Sequence, residues 1–231
     1  MTDGFDIQLD PAQLALEGRE LPRYIAIEGS IGVGKTTLAR NLAHAFNYDT
    51  WLEPDADNPF LERFYQGTPG AALPTQLHFL FQRARQLQEQ RQGDMFEPVR
   101  VADFLMEKDS LFAEVTLDAD ELRLYQQVYA QLTLDAPRPD LVIFLQAPVD
   151  TLLERIQARG GAEARHIEAN YLHQLNDAYT RFFHYYDRAP LLIVNAAELD
   201  LARNPDHYQQ LIDFMLPIKS GRHYFNPTPS V

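Results

Sequence analysis

The chain has 231 residues, of which 45% are hydrophobic and 23% charged, with a net charge of −13 and no cysteine. That length suits one domain with an ample core, and the missing cysteines exclude disulfides and thiolate metal sites. An acidic surface repels duplex DNA and long RNA, and apolar runs of about five to seven residues are too short to cross a bilayer. Without a basic-then-apolar leader, the composition is that of a cytoplasmic protein with small-molecule partners, no nucleic acid and no membrane.

Residues 1–22 are polar and weakly periodic and read as a loosely ordered lead-in. Tyr24-Ile25-Ala26-Ile27 is the first strand, and a helical pattern starts at Lys35. Tyr48 to Leu52 reads as a second strand ending at Glu53-Pro54, and the Asn58-Pro59 start predicts a short helix through Tyr65. Residues 67–74 read as a loop. Leu77, Leu80, Phe81, Ala84 and Leu87 recur at spacings of three and four, which predicts a long helix over 75–92. Val99 to Ala102 is a third strand and Asp120 to Leu134 a helix. Leu141 to Leu145 is a continuous apolar run, as in a strand buried on both faces. Helices over 149–159 and 168–186 follow, interrupted by Gly160-Gly161. Leu191 to Val194 is the last strand, Pro205 to Met215 the last helix, and 217–231 a polar tail. This alternation predicts an α/β fold, a five-stranded parallel sheet with helices on both faces. The division is a lead-in to 22, one domain over 23–216 and a tail from 217.

Gly29-Ser30-Ile31-Gly32-Val33-Gly34-Lys35-Thr36 fits the phosphate-loop pattern G-x-x-x-x-G-K-[ST] and sits between a strand and a helix. Such a turn aims backbone N–H groups and the helix N-terminus at a polyphosphate. ATP is therefore expected on Gly29, Ser30, Ile31, Gly32, Val33, Gly34, Lys35, Thr36 and Thr37, with Lys35 on the outer phosphates and the Thr36 hydroxyl on Mg²⁺.

Parallel sheets bind ligands at the carboxyl ends of their strands. Glu53 and Asp103 stand at two such ends, where a carboxylate can hold Mg²⁺ with Thr36 or accept a proton from an attacking hydroxyl. Arg155 and Arg159 share a helix face before Gly160-Gly161, an arrangement suited to a lid over about 159–167 that carries positive charge to a transferring phosphoryl group. Gln76 and Arg83 share a face of the long helix, and Gln76 can both donate to and accept from a nucleobase edge. Phe79, Phe81, Phe104, Phe182 and Phe183 are available to wall a base pocket or to fill the core.

From about Arg23 to Met215 the chain resembles the deoxynucleoside kinases of the deoxycytidine/deoxyguanosine/deoxyadenosine type, bacterial members included. The carriers are IEGSIGVGKTTL, WLEP, NPFLERFY, TQLHFLFQRARQL, DFLMEKD, PDLVIFLQAP, RIQARGG and YLHQLNDAY. The resemblance implies transfer of the ATP γ-phosphate to a deoxynucleoside 5′-hydroxyl, with Mg²⁺, by a homodimer packed through helices. Glu53 matches the general base, Tyr65 the contact to the sugar 3′-hydroxyl, and Gln76 the partner of the base. Arg83 and Asp109 match a pair near the base, Asp103 the acid of a Glu-Arg-Ser motif, and Arg155 and Arg159 lid arginines. Phe104 stands where that motif has arginine. Gly161 stands at a third lid arginine and Ala164 at a lid glutamate, with Glu163 one position away and Lys108 or Arg165 as replacement charges. The Arg83–Asp109 pair implies a purine, deoxyadenosine or deoxyguanosine, or else deoxycytidine, rather than thymidine. Two alternatives are a monophosphate kinase of thymidylate kinase type and a phosphate-loop switch, although the chain has neither D-x-x-G nor N-K-x-D.

Overall fold

A computed structural model describes residues 19–53, 58–93, 99–132, 136–160, 166–197, 199 and 204–226. Its strands are β1 (Tyr24–Gly29), β2 (Asp49–Trp51), β3 (Arg100–Ala102), β4 (Leu141–Gln146), β5 (Leu191–Asn195) and β6 (Arg222–Phe225). Its helices are α1 (Lys35–Phe46), α2 (Leu61–Tyr65), α3 (Ala72–Gly93), α4 (Glu107–Thr116), α5 (Ala119–Leu132), α6 (Val149–Arg159), α7 (Ala169–Tyr185) and α8 (Pro205–Met215).

The six strands lie in the order β2-β3-β1-β4-β5-β6, and every pairing is parallel. Five strands were expected; the sixth comes from the segment read as a polar tail. Arg222-His223-Tyr224-Phe225 is half polar because it is an edge strand, exposed along most of its length, and only Phe225 turns into the core. Helix α4 was also missed, because its apolar periodicity is weak: Lys108 and Asp109 occupy buried positions beside Leu111 and Ala113.

Alternate residues of the central strands feed two cores. Ile25, Ile27, Leu141, Ile143 and Leu145 pack with α1, α6 and α8, whereas Ala26, Val142 and Phe144 pack with α4 and α7. A smaller cluster around Leu80, Ala113 and Tyr125 joins α3, α4 and α5. The chain leaves β1 for one face of the sheet and neighbouring β3 for the other. A crevice therefore opens above the β1–β3 boundary, where such sheets place their ligands.

Candidate functional site

The crevice is a cavity of about 360 Å³, lined among others by Lys35, Thr36, Glu53, Tyr65, Gln76, Arg83, Asp103, Asp109 and Arg159. These come from α1, α2, α3, α4, α6 and the ends of β2 and β3, so the fold gathers most of the residues chosen from sequence.

The loop after β1 forms its floor. Gly29 has φ +148°, and a Cβ there would sit 2.5 Å from the Leu145 carbonyl oxygen and 2.9 Å from Val33 Cγ1. Gly34 has φ +106° with nothing within 4 Å of its absent Cβ, so it leaves the start of α1 open. No side chain caps α1, and its first amides and positive dipole end suit an anion. Lys35 Nζ donates to the carbonyls of Gly29 (2.9 Å) and Ser30 (3.2 Å). Burial depresses its pKa to about 8, Lys108 adds to that, and nearby carboxylates oppose it.

Asp103 ties the loop to the neighbouring strand. Its Oδ2 accepts from the Thr36 hydroxyl at 2.6 Å, and its Oδ1 accepts from the Glu53 backbone N–H at 2.7 Å. Thr36 and Asp103 are hard oxygen donors side by side beside the phosphate loop. Two such donors are the usual protein share of a Mg²⁺ shell that phosphates and water complete. No group of three or more acidic or histidine side chains is arranged to hold a metal among the described residues. Glu53, the third expected Mg²⁺ ligand, is otherwise engaged in this structure.

Glu53 Oε1 accepts from Arg83 Nη2, and Oε2 from Lys108 Nζ at 2.5 Å. Burial would raise this carboxyl, but the charges of Arg83 and Lys108 outweigh it and hold Glu53 well below the usual carboxylate range. Arg83 also donates through Nη1 to Asp109. The Asp109 carboxyl is pushed up to about 6 by burial, against the pull of Arg83 and with help from Glu53. One guanidinium serves two carboxylates here, and Asp109 Oδ2 has no donor among the described residues.

Gln76 is buried in the α3 wall, and Tyr65 of α2 lines the same cavity. Phe79, Phe112 and Tyr171 complete an aromatic lining. Of the other phenylalanines considered, Phe81 is 54% exposed, Phe104 and Phe183 are core, and Phe182 of α7 is half-buried against the core. Phe104 lies edge-on to Trp51 at 5.0 Å and beneath the Arg83 guanidinium at 5.3 Å.

The two lid-helix arginines part company. Arg159 lines the cavity. Arg155 donates to the Val33 carbonyl at 3.2 Å and the Ala196 carbonyl at 2.8 Å, which joins the phosphate loop to the end of β5. Glu163, Arg165, Gly161 and Ala164 lie outside the described residues, as do Pro54, residues 1–18 of the lead-in, 161–165 of the lid and 227–231 of the tail.

Sequence reasoning missed Glu28, Arg40 and Asn176. Glu28 is fully buried under the loop and accepts from Gly29 N (3.0 Å), Leu105 N (2.7 Å) and the Tyr179 hydroxyl (2.8 Å). Burial raises its carboxyl. Its signal was an acid closing an otherwise apolar strand. Arg40 lines the cavity one turn beyond Thr36, legible from the spacing of four. Asn176 accepts from the Ser30 hydroxyl and donates to the Ala147 carbonyl at 3.1 Å, a long-range contact that carries no local signal.

A family model described as deoxynucleoside kinase matches residues 25–216. The deoxyguanosine kinase of Bacillus subtilis (strain 168) is 39% identical over 160 residues, covering 68% of this chain and 76% of that protein. The deoxyadenosine kinase of Dictyostelium discoideum is 31% identical over 198 residues, covering 82% and 77%. Among solved structures, M. mycoides deoxyadenosine kinase with bound dATP has a TM-score of 0.71 at 28% identity, covering 84% of this chain and 99% of that one.

Proposed function

This chain belongs to the deoxynucleoside kinase family, and we propose that its cavity carries the ATP γ-phosphate to the 5′-hydroxyl of a purine deoxynucleoside. One observation supports the assignment of roles above all. Asp103 holds the Thr36 hydroxyl with one oxygen and the Glu53 backbone with the other, so phosphate loop and carboxylate face the same cavity.

Lys35 and the loop amides hold the triphosphate. Thr36 and Asp103 would hold Mg²⁺, which would neutralise phosphate charge. Glu53 receives the 5′-hydroxyl. The 5′ oxygen bonds to the γ-phosphorus, the bond from that phosphorus to the β–γ bridging oxygen breaks, and ADP leaves with that oxygen. The hydroxyl proton passes to Glu53. A carboxylate held so far below its usual range is a weak base, so its main work is orientation; that is sufficient in a loose phosphoryl-transfer transition state. Arg159 brings positive charge from the lid side, and Arg155 sets the loop it closes upon.

Tyr65 is assigned to the sugar 3′-hydroxyl and Gln76 to the base edge. Arg83, held by Asp109, crowds the place of a thymine methyl and favours a purine, deoxyguanosine or deoxyadenosine. The named activities of the Bacillus and Dictyostelium relatives support that choice. Glu163 is assigned to the lid's sugar contacts. The protein is taken to work in the cytoplasm as a homodimer, to which Leu124 on α5 (50% exposed) and Tyr185 on α7 (80% exposed) offer apolar contact.

The test is turnover of the four deoxynucleosides with ATP by the wild type and by Glu53→Gln. A purine deoxynucleoside should be fastest, and the variant should lose about 10²-fold or more in kcat, the scale of a lost general base. A preference for thymidine overturns the base assignment, and full turnover by Glu53→Gln overturns the role of Glu53.

A further inference from the structure

Both oxygens of Glu53 are occupied, and its two partners differ in kind. Arg83 is 2% exposed, spans Glu53 and Asp109, and packs against Phe104 at 5.3 Å and Phe79 at 5.9 Å. Its charge is shared between two carboxylates, and its planar fork is fixed on both sides. Lys108 enters from the first turn of α4, is 8% exposed, and has Glu53 Oε2 as its one ion-pair partner among the described residues. Its ammonium rests 5.4 Å from the Phe112 ring centroid, and it lines the same cavity as Lys35, Thr36 and Arg159. Each Glu53 oxygen holds one donor and can accept another, so a 5′-hydroxyl reaches the carboxylate either beside a partner or in its place. Displacing Arg83 would disturb the one ion-pair partner that Asp109 has among the described residues and two aromatic contacts. Displacing Lys108 costs one contact of a flexible side chain.

We propose that Lys108 is a catalytic cation that the free enzyme holds on Glu53 and the loaded site passes to the transferring phosphoryl group. The proposal rests on the reading of Glu53 given above. When the deoxynucleoside enters, its hydroxyl takes over Glu53 Oε2, and Nζ turns within the cavity to a non-bridging oxygen of the γ-phosphoryl group. It meets negative charge there while the 5′ oxygen–phosphorus bond forms and the bond to the bridging oxygen breaks. The proton goes to Glu53, and Lys108 keeps its own throughout. A buried ammonium with a single partner is costly to maintain; service to a dianionic ligand explains why α4 carries one. Phe104, the first residue after Asp103, is wholly buried and uncharged, so the segment after β3 delivers its positive charge from Lys108.

The test separates binding from turnover in Lys108→Met and Lys108→Arg. Deoxyguanosine and deoxyadenosine are titrated calorimetrically without ATP, and kcat and KM are measured with it. Lys108→Met should bind the nucleoside as tightly as the wild type or tighter, since a competitor for Glu53 is gone, yet lose about 10²-fold or more in kcat, the scale of one preorganised electrostatic partner. Lys108→Arg should recover part of that loss. Weaker nucleoside binding with unchanged kcat overturns the proposal, as does an Arg variant no faster than the Met variant. Should Lys108→Met melt below the assay temperature, Lys108→Gln decides by the same two measurements, since it keeps a donor for Glu53 without the charge. Full turnover by Glu53→Gln sinks the underlying reading instead. A slowed Glu53→Gln beside a wild-type kcat in Lys108→Met sinks the role of Lys108 alone.

Discussion

Asp109 shows how burial and pairing divide one carboxyl between them. It is buried and bonded to Arg83, but Arg83 also serves Glu53 and the second Asp109 oxygen has no donor among the described residues. Burial therefore wins, and the group titrates near 6 instead of its ordinary 3.8. Between those values the folded chain binds more protons than the unfolded chain, so this residue makes stability fall as pH rises through the window. Asp109→Asn keeps an acceptor for Arg83 without the titration. Relative to that variant, the wild type should lose stability between about pH 4 and pH 6, by as much as ~3 kcal/mol at roughly 1.4 kcal/mol per pH unit. Denaturant melts at several pH values measure it, and a constant difference across that range refutes the shift. Asp109 itself was found through resemblance; nothing in its spacing announced burial.

At the scale of elements, the strand–loop–helix unit β1–α1 was legible almost completely. Its glycine spacing expresses local backbone needs, but Gly29 and Gly34 differ in what they require. Gly29 is confined by packing against β4 as well as by its φ, and Gly34 by its φ alone. Gly29→Ala should therefore cost about 2 kcal/mol or more through overpacking and should weaken ATP binding. Gly34→Ala should cost only the strain of a forbidden φ, about 1–3 kcal/mol, with the core under the loop intact. Thermal melts and ATP titration of both variants check this, and a Gly29→Ala protein as stable as wild type contradicts the packing argument. Helix α4 shows the opposite case. A helix whose buried face carries Lys108 and Asp109 has no apolar stripe to read, since those side chains are buried to serve the site.

For the whole molecule, the six-stranded sheet depends on its last strand. Phe225 enters the core from β6 and lies 5.2 Å from Phe214 of α8, ring centre to ring centre. Phe225→Ala should lower the unfolding free energy by about 3 kcal/mol, at the low end for a buried phenylalanine. An equilibrium denaturant titration measures it; a change within about 0.5 kcal/mol, the scale of a surface substitution, would mean that β6 is peripheral to the fold. The net charge of −13 acts at this scale too. Binding an anionic triphosphate to such a chain requires local concentration of cations, and Lys35, Arg40, Arg83, Lys108 and Arg159 all line one cavity.

The amino-acid sequence by itself determined the alternation of strands and helices, the phosphate loop and the choice of Glu53 and Asp103 as strand-end acids. These follow from periodicity, glycine geometry and the rule that ligands sit at carboxyl ends, all of which act over a few neighbouring residues. Only the tertiary structure decided that Asp103 binds loop and strand together, that Arg155 braces the loop while Arg159 faces the cavity, that the tail supplies a sixth strand, and that Lys108 lies on Glu53. Each of these depends on contacts between residues far apart in the chain, such as the 55 positions between Glu53 and Lys108. Their energies come from burial and from charges sharing a low-dielectric space, which no local pattern of residues records.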